Sequence, residues 1–271
     1  MASSKLVGRT LRSKTMSESL PRILVTNDDG IESEGIHILA EALSAVGRVT
    51  IAAPSEEKSA SSHSISLFRP LSYKQVGPDR YAIHGTPVDA VIVAISHLLE
   101  EKPALVISGI NKGNNLGLNV FYSGTVAAAV EGTLHGIPSM AVSICSKNSF
   151  PFERVAAFAA QLAAGVLKEG LPGGVTLNVN VPPNWHNGVR VTQRSPRHAR
   201  QLVIERNGSP DEDTYWIREH LDESKFPSDS DHAAVRAGHA SITPLRFDTS
   251  DETALDWLAE WVKSFSKSPV G

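Results

Sequence analysis

The sequence predicts an α/β fold built on a parallel sheet, and three observations carry that reading. Short apolar, β-branched segments recur at Ile23-Leu24-Val25-Thr26, Val49-Thr50-Ile51-Ala52-Ala53 and Ala104-Leu105-Val106-Ile107-Ser108, each suited to a buried strand. Between the first two, Ile36, Leu39, Ala40, Leu43 and Val46 recur at the spacing of an amphipathic helix. Strand, helix and strand within about thirty residues make a βαβ unit, which implies parallel strands joined by a right-handed crossover.

A chain of 271 residues is long enough for one large α/β domain with a sizeable core. Its 41% hydrophobic and 20% charged residues suit a soluble globular protein. A net charge of −3 without a basic stripe argues against nucleic acid as a primary partner. No apolar run approaches the ~20 residues of a membrane span, so no membrane is expected either. The single cysteine, Cys145, excludes an internal disulfide and points to a reducing, cytoplasmic setting. Lying in an apolar run, it reads as an inert small hydrophobe rather than a nucleophile. Asn207-Gly208-Ser209 matches a glycosylation acceptor that stays silent without a secretory signal.

Residues 1–20 hold Lys5, Arg9, Arg12 and Lys14, five serines and one acid, Glu18, and are expected to be disordered. Such a start suits an organelle transit peptide, an extension upstream of Met16 or an artificial leader. Then Ser33 is placed to cap the first helix, which Gly47 stops. A serine-rich loop, 55–66, follows the second strand. Leu67 to Val76 and Tyr81-Ala82-Ile83 read as a hairpin flap around Gly77-Pro78-Asp79. Thr86 and Pro87 open a helix with Val88, Val91, Ile92, Ile95 and Leu98 inside and Asp89 in its first turn, where capping accounts for it. His84, just before it, is a lining or a surface residue.

After the strand at 104–108 comes Gly109-Ile110-Asn111-Lys112-Gly113-Asn114-Asn115-Leu116-Gly117, a loop matching neither a dinucleotide fingerprint nor a P-loop. Ser123-Gly124-Thr125 start a helix with Val126, Ala127, Val130 and Leu134 inside. Ser139 to Ile144 is a strand, Val155 to Val166 a helix closed by Gly170, and Val175 to Val181 a fifth strand. From about Arg190 the βα rhythm stops: Arg194, Arg197, His198 and Arg200 cluster, and a long irregular segment precedes a strand at Ala240 to Leu245. This stretch, 191–246, reads as an arm that pairs with another subunit. Leu255, Leu258, Ala259, Val262 and Phe265 form a terminal amphipathic helix within 247–271, expected to pack on the core at 21–190.

The chemistry begins at Asn27-Asp28-Asp29-Gly30. Neighbouring strand residues point to opposite faces, so adjacent aspartates share a ligand only where the strand ends and the chain bends. Two carboxylates that close repel one another, and a divalent cation between them removes the repulsion. Carboxylate and amide oxygens suit Mg²⁺ or Mn²⁺. The same four residues also make ordinary turns. What favours a site is that Asp28-Asp29, the loop with Ser59, the loop with Asn111 and the helix start at Ser123 all gather at the carboxyl edge of one sheet. There Lys112 can neutralise a phosphate, and the free N–H groups at Ser123, Gly124 and Thr125 can bind an anion. Hard oxygen ligands beside an anion-binding helix end suit a phosphate ester.

These segments also resemble the survival protein E (SurE) nucleotidases. The resemblance rests on Ile23 to Ile31, Ala53-Pro54 through Ser59, Gly85-Thr86-Pro87, Ser108 through Gly117, Ser123-Gly124-Thr125-Val126 and Ser241-Ile242-Thr243-Pro244, in order from Arg22 to Leu245. It implies a Rossmann-like three-layer core, a divalent-metal phosphatase acting on nucleoside monophosphates, and a homodimer or homotetramer joined through the C-terminal arm. It also places the metal ligands on Asp28, Asp29, Ser59 and Asn111. Lys58 stands where many members have Arg, and Tyr122 where some have His, which bears on substrate preference.

The expected reaction is hydrolysis of a nucleoside 5′- or 3′-monophosphate. Asp28, Asp29 and Asn111 are catalytic; Asn115, Ser123, Gly124, Thr125 and Lys112 contact the phosphate; cation-activated water is the nucleophile, with Asp28 itself as the alternative. A haloacid-dehalogenase-type phosphatase is disfavoured because its aspartates stand two apart, and here that position is Gly30. From another class, a non-catalytic metal- and nucleotide-binding oligomer would hold nucleotide without turnover.

Overall fold

The structure is a computed structural model that describes residues 20–265 apart from 147, 149, 197–199 and 207–214. The expected N-terminal disorder, the acceptor tripeptide at Asn207, and Arg197 and His198 fall outside those residues. β1 (Arg22–Thr26) pairs in parallel with β2 (Arg48–Pro54) on one side and β5 (Leu105–Lys112) on the other. Beyond β2 lie β4 (Arg80–Ile83) and β3 (Tyr73–Gly77); beyond β5 lie β6 (Ser139–Ile144), β7 (Val175–Val181), β11 (Ala240–Arg246) and β8 (Val189–Val191). The chain thus leaves β1 for one side of the nine-stranded sheet and returns to its other side as β5. That reversal of strand order opens a crevice at the carboxyl ends of β1 and β5.

Helices cover both faces. On one, α1 (Glu34–Leu43) and α4 (Phe152–Glu169) bury Ile36, Leu39, Leu43, Val155 and Ala159 against Ile23, Val25, Ile107 and Met140. On the other, α2 (Pro87–Val93) and α3 (Gly124–Leu134) meet Leu24, Ala52 and Val106 through Val91 and Ala128. The result is a three-layer α/β core of Rossmann-like type. Thr86 and Asp89 form a reciprocal capping box on α2, so the aspartate does act as a cap. α3 is buried along Gly124 to Gly132 on every side, while Leu134, expected inside, is 66% exposed.

The structure also departs from expectation in how several elements pair and pack. The hairpin's first strand begins at Tyr73 rather than Leu67, after Pro70, and β4 pairs in parallel with β2. The hairpin therefore extends the main sheet instead of forming a loose flap. β5 continues through Lys112, with a register slip against β6 between Ser108 and Asn111, so Asn111 stands on a strand end and not in a loop. β11 lies within the main sheet, antiparallel to β7. Of the expected arm, the antiparallel ribbon of β9 (Arg200–Arg206) and β10 (Tyr215–Leu221) forms a separate sheet. Finally, α6 (Glu252–Phe265) does not lay its apolar stripe on the core: Leu255, Trp257, Leu258, Trp261, Val262 and Phe265 are all exposed. A short α5 (Asp231–Arg236) packs near β11. Among the described residues no helix is long and apolar enough to cross a membrane.

Candidate metal and phosphate site

Asp28 and Asp29 follow β1 at a turn held by Asn27. Its amide donates to the Gly30 carbonyl at 3.0 Å and to Ser33 Oγ at 2.7 Å, and its oxygen accepts from the Gly30 N–H at 3.2 Å. Gly30 has φ +94°, a conformation that side-chain-bearing residues avoid. Ser33 therefore serves the aspartate turn, and it makes no side-chain cap on α1. The Lys58 N–H donates to the Asp28 carbonyl at 2.7 Å, fastening the serine loop to the same turn.

The Thr125 hydroxyl donates to Asp28 Oδ1. The start of α3, expected to meet a phosphate, thus directs its Thr125 hydroxyl at the protein's own carboxylate. Gly124 makes the approach possible: a Cβ there would stand 2.9 Å from Asp28 Cβ and 2.6 Å from Ser61 Oγ. Thr125 is wholly buried, and Ser123 caps α3 by accepting from the Val126 N–H at 3.1 Å.

Burial raises the Asp28 carboxyl above its usual range despite the Thr125 hydroxyl bond. Asp29 is pushed up to about 6, chiefly by burial and then by the charge of Asp28, while the backbone N–H and the ammonium of Lys112 oppose the rise. Asp29 Oδ2 is buried and has no hydrogen-bond partner among the described residues. Two crowded carboxylates with an orphaned oxygen form an environment that a cation relieves. No cluster of three or more His, Cys, Asp or Glu suited to a metal occurs among the described residues. Two carboxylates with neutral oxygens nearby would suit a hard cation better than zinc.

A cavity of about 510 Å³ gathers the remaining candidates: Asp28, Ser59, Asn111, Lys112, Asn115 and Ser123 all line it. Ser59 donates its hydroxyl to Glu57 Oε1 at 2.6 Å, and Asn111 its amide to the Gly113 carbonyl at 3.1 Å. The Lys112 ammonium rests 5.9 Å and 6.0 Å from the ring centres of Phe150 and Phe152. Asn115 is a buried anchor. Its N–H donates to Asn180 Oδ1 at 2.9 Å, its amide to Ser143 Oγ at 2.9 Å, and its carbonyl accepts from Asn178 at 2.7 Å. A larger hollow, about 620 Å³, lies beyond the serine loop at Lys58, Arg69 and His84 and holds neither aspartate, whereas Asp28, though not Asp29, lines the smaller cavity.

Sequence reasoning missed Glu57, Ser143, Asn178 and Asn180 as supports, and Asn119, Leu202 and Ile217 as cavity walls. The asparagines did leave a signal: two amides two positions apart in the apolar strand β7 share a face, and a buried amide requires partners.

Comparison with known proteins agrees with this arrangement. The family model described as "Survival protein SurE" matches residues 23–201. The 5′-nucleotidase SurE of Symbiobacterium thermophilum is 43% identical over 90% of this chain and 99% of its own length. That of Chlorobium chlorochromatii is 40% identical over 92% and 94% respectively. The crystal structure of the SurE protein from Aquifex aeolicus superposes with a TM-score of 0.82 at 36% identity, covering 89% of this chain and all of that one. The chain belongs to the survival protein SurE family.

Proposed function

We propose that this chain hydrolyses nucleoside monophosphates to nucleoside and inorganic phosphate, using a divalent cation, Mg²⁺ or Mn²⁺, held by Asp28, Asp29, Ser59 and Asn111. The observation that carries the reading is the buried Asp28, lining a cavity with Ser59, Asn111 and Lys112, next to a half-buried Asp29 whose Oδ2 is buried and unpartnered among the described residues. Relatives named 5′-nucleotidase SurE, alike over nine tenths or more of this chain, support the substrate class. When bound, the cation supplies positive charge to the phosphoryl oxygens as the bond to the leaving oxygen lengthens.

The protein's own groups do the rest. Lys112 and the Ser123 hydroxyl draw the phosphate into the cavity and set its orientation. Asn115, with both its amide and its backbone engaged, holds the course of the 111–119 segment that carries Lys112. Water is the nucleophile: Asp28 Oδ1 already accepts the Thr125 hydroxyl, which restrains that carboxylate and counts against its attacking phosphorus. The exposed apolar side chains of α6 are suited to a homodimer or homotetramer. Sedimentation of Trp261→Glu is expected to show a smaller species than the parent chain.

The test is phosphate release from a panel of nucleoside 5′- and 3′-monophosphates with Mg²⁺, with Mn²⁺ and with EDTA, beside Asp28→Asn. Release that needs the cation and vanishes in Asp28→Asn is expected. A folded, cation-supplied chain that frees phosphate from none of them overturns the reading and leaves a nucleotide-binding module.

A further inference from the structure

α3 is buried from Gly124 to Gly132, yet it carries one carboxylate there, Glu131, whose side chain is only 12% exposed. Two histidines meet it. His63 Nε2 stands 2.8 Å from Glu131 Oε2, and His135 Nε2, one helical turn on, stands 3.1 Å from Oε1. The bond from His63 is the chief cause that holds the Glu131 carboxyl below its usual range. An ionised carboxylate only accepts, so both ring nitrogens donate to it. The two histidines differ in what they tie down. His135 closes the same helix, whereas His63 belongs to the serine loop, four residues beyond Ser59.

That loop needs tying. Ser59 and Ala60 are exposed, and Ala60 and Ser62 hold φ +54° and +51°, a left-handed conformation unfavourable to any residue with a side chain. Such a conformation persists only where surrounding contacts impose it. Three contacts bring the loop onto the start and body of α3. The Ser62 N–H donates to the Tyr122 carbonyl at 3.1 Å, Ser61 Oγ lies so near Gly124 that a Cβ there would stand 2.6 Å away, and His63 meets Glu131. Of these, the His63–Glu131 pair is the charge-assisted one. We infer that His63 and Glu131 are positioning residues for the cation site: their pair clamps the serine loop onto α3 and so holds Ser59 at the cavity shared with Asp28 and Asn111. This rests on the cation reading and deepens it. Neither His63 nor Glu131 lines that cavity, so both act through the loop. Asp28, Asp29 and Asn111 stand at or just beyond the ends of β1 and β5, where the sheet fixes them. Ser59 is therefore the proposed ligand whose place depends on the clamp.

The experiment measures Mn²⁺ binding to the full chain by titration calorimetry, with melting in the absence of cation to show that each variant is folded. His63→Ala is expected to weaken Mn²⁺ binding about tenfold, as loss of a partner that orients a ligand does. His63→Gln, whose amide N–H reaches the place of Nε2, restores the parent affinity. His135→Ala keeps it, since that bond ties no loop. In a chain already carrying Ser59→Ala, His63→Ala costs nothing further, because the ligand it places is gone. Parent affinity in His63→Ala, no rescue by His63→Gln, or equal losses in His63→Ala and His135→Ala overturns the clamp and leaves the nucleotidase reading intact. Losses from Ser59→Ala and His63→Ala that add in the double variant overturn it too, by showing that His63 does not act through Ser59. A parent chain that releases phosphate from nucleoside monophosphates yet binds no Mn²⁺ overturns the cation reading and the clamp together.

Discussion

Thr125 donates its hydroxyl to Asp28 Oδ1 across 97 residues of sequence, and this bond joins the start of α3 to the turn after β1. It sets where the carboxylate points. Thr125→Val keeps the shape and removes the donor. The variant is expected to lose about 2 kcal/mol of stability, as for a bond to a charged group, and at least about tenfold in kcat/KM, because a shifted ligand misplaces the reaction. Urea unfolding and phosphate release measure the two effects, and Thr125→Ser should restore both.

Asp29 bears the cost of its burial beside Asp28. Without divalent cation, Asp29→Asn is expected to melt at or above the temperature of the parent chain, since the charge of half-buried Asp29 beside buried Asp28 is gone. Mg²⁺ or Mn²⁺ should raise the melting temperature of the parent by binding the folded state and leave Asp29→Asn almost unmoved. A variant that responds like the parent would show that Asp29 is no ligand.

Asn180 reaches Asn115 twice, accepting from its N–H at 2.9 Å and donating to its carbonyl at 3.2 Å. Asn180→Ala leaves that buried N–H without an acceptor, at a cost of about 1–3 kcal/mol. Because the same segment carries Lys112, KM for the phosphoester is expected to rise as well. Denaturant titration and steady-state kinetics on one preparation would show both changes together.

Asp231 is fully buried at the start of α5. Burial alone would raise its carboxyl, but bonds from His232, the Gly117 N–H and Ser195 outweigh that and hold it below the usual range. A pKa lowered by folding contributes stability above the unfolded value of about 3.9, and the contribution is lost as pH falls through the lower folded value. Asp231→Asn should therefore be less stable than the parent at pH 7, with the gap narrowing below about pH 4. Melting temperatures across that range test it; a constant gap would mean that Asp231 does not titrate between the two states.

Much of this protein is legible one segment at a time. β1, β2, β6 and β7 are apolar runs bounded by turn residues, and local periodicity is enough to find them. Thr86-Pro87 and Asp89 announce a helix start, and the structure joins the expected cap Thr86 to Asp89 in a reciprocal capping box. Adjacent aspartates after a buried strand, with asparagine- and serine-rich loops after others, point to one sheet edge, and Asp28, Ser59, Asn111, Lys112, Asn115 and Ser123 do share a cavity there. The one cysteine, Cys145, follows the apolar run of β6 and is half-buried, and desolvation of its thiol pushes its pKa up.

What the sequence by itself determined, then, is the order of elements and the chemical kind of the site, because both rest on patterns a few residues long. Tertiary structure decided the partners. Thr125 read as a phosphate contact, and the structure adds a bond from its hydroxyl to Asp28. Asn178 and Asn180 lie more than sixty residues from the Asn115 they anchor, and Asp231 lies 114 residues from the Gly117 N–H it accepts. Whether a polar side chain faces the ligand or another part of the chain depends on how strands and helices meet across the sheet. So does the fate of an apolar stripe: α6 has the periodicity of a packed helix, yet its stripe lies open. Periodicity records that a face is apolar; packing alone determines what covers it.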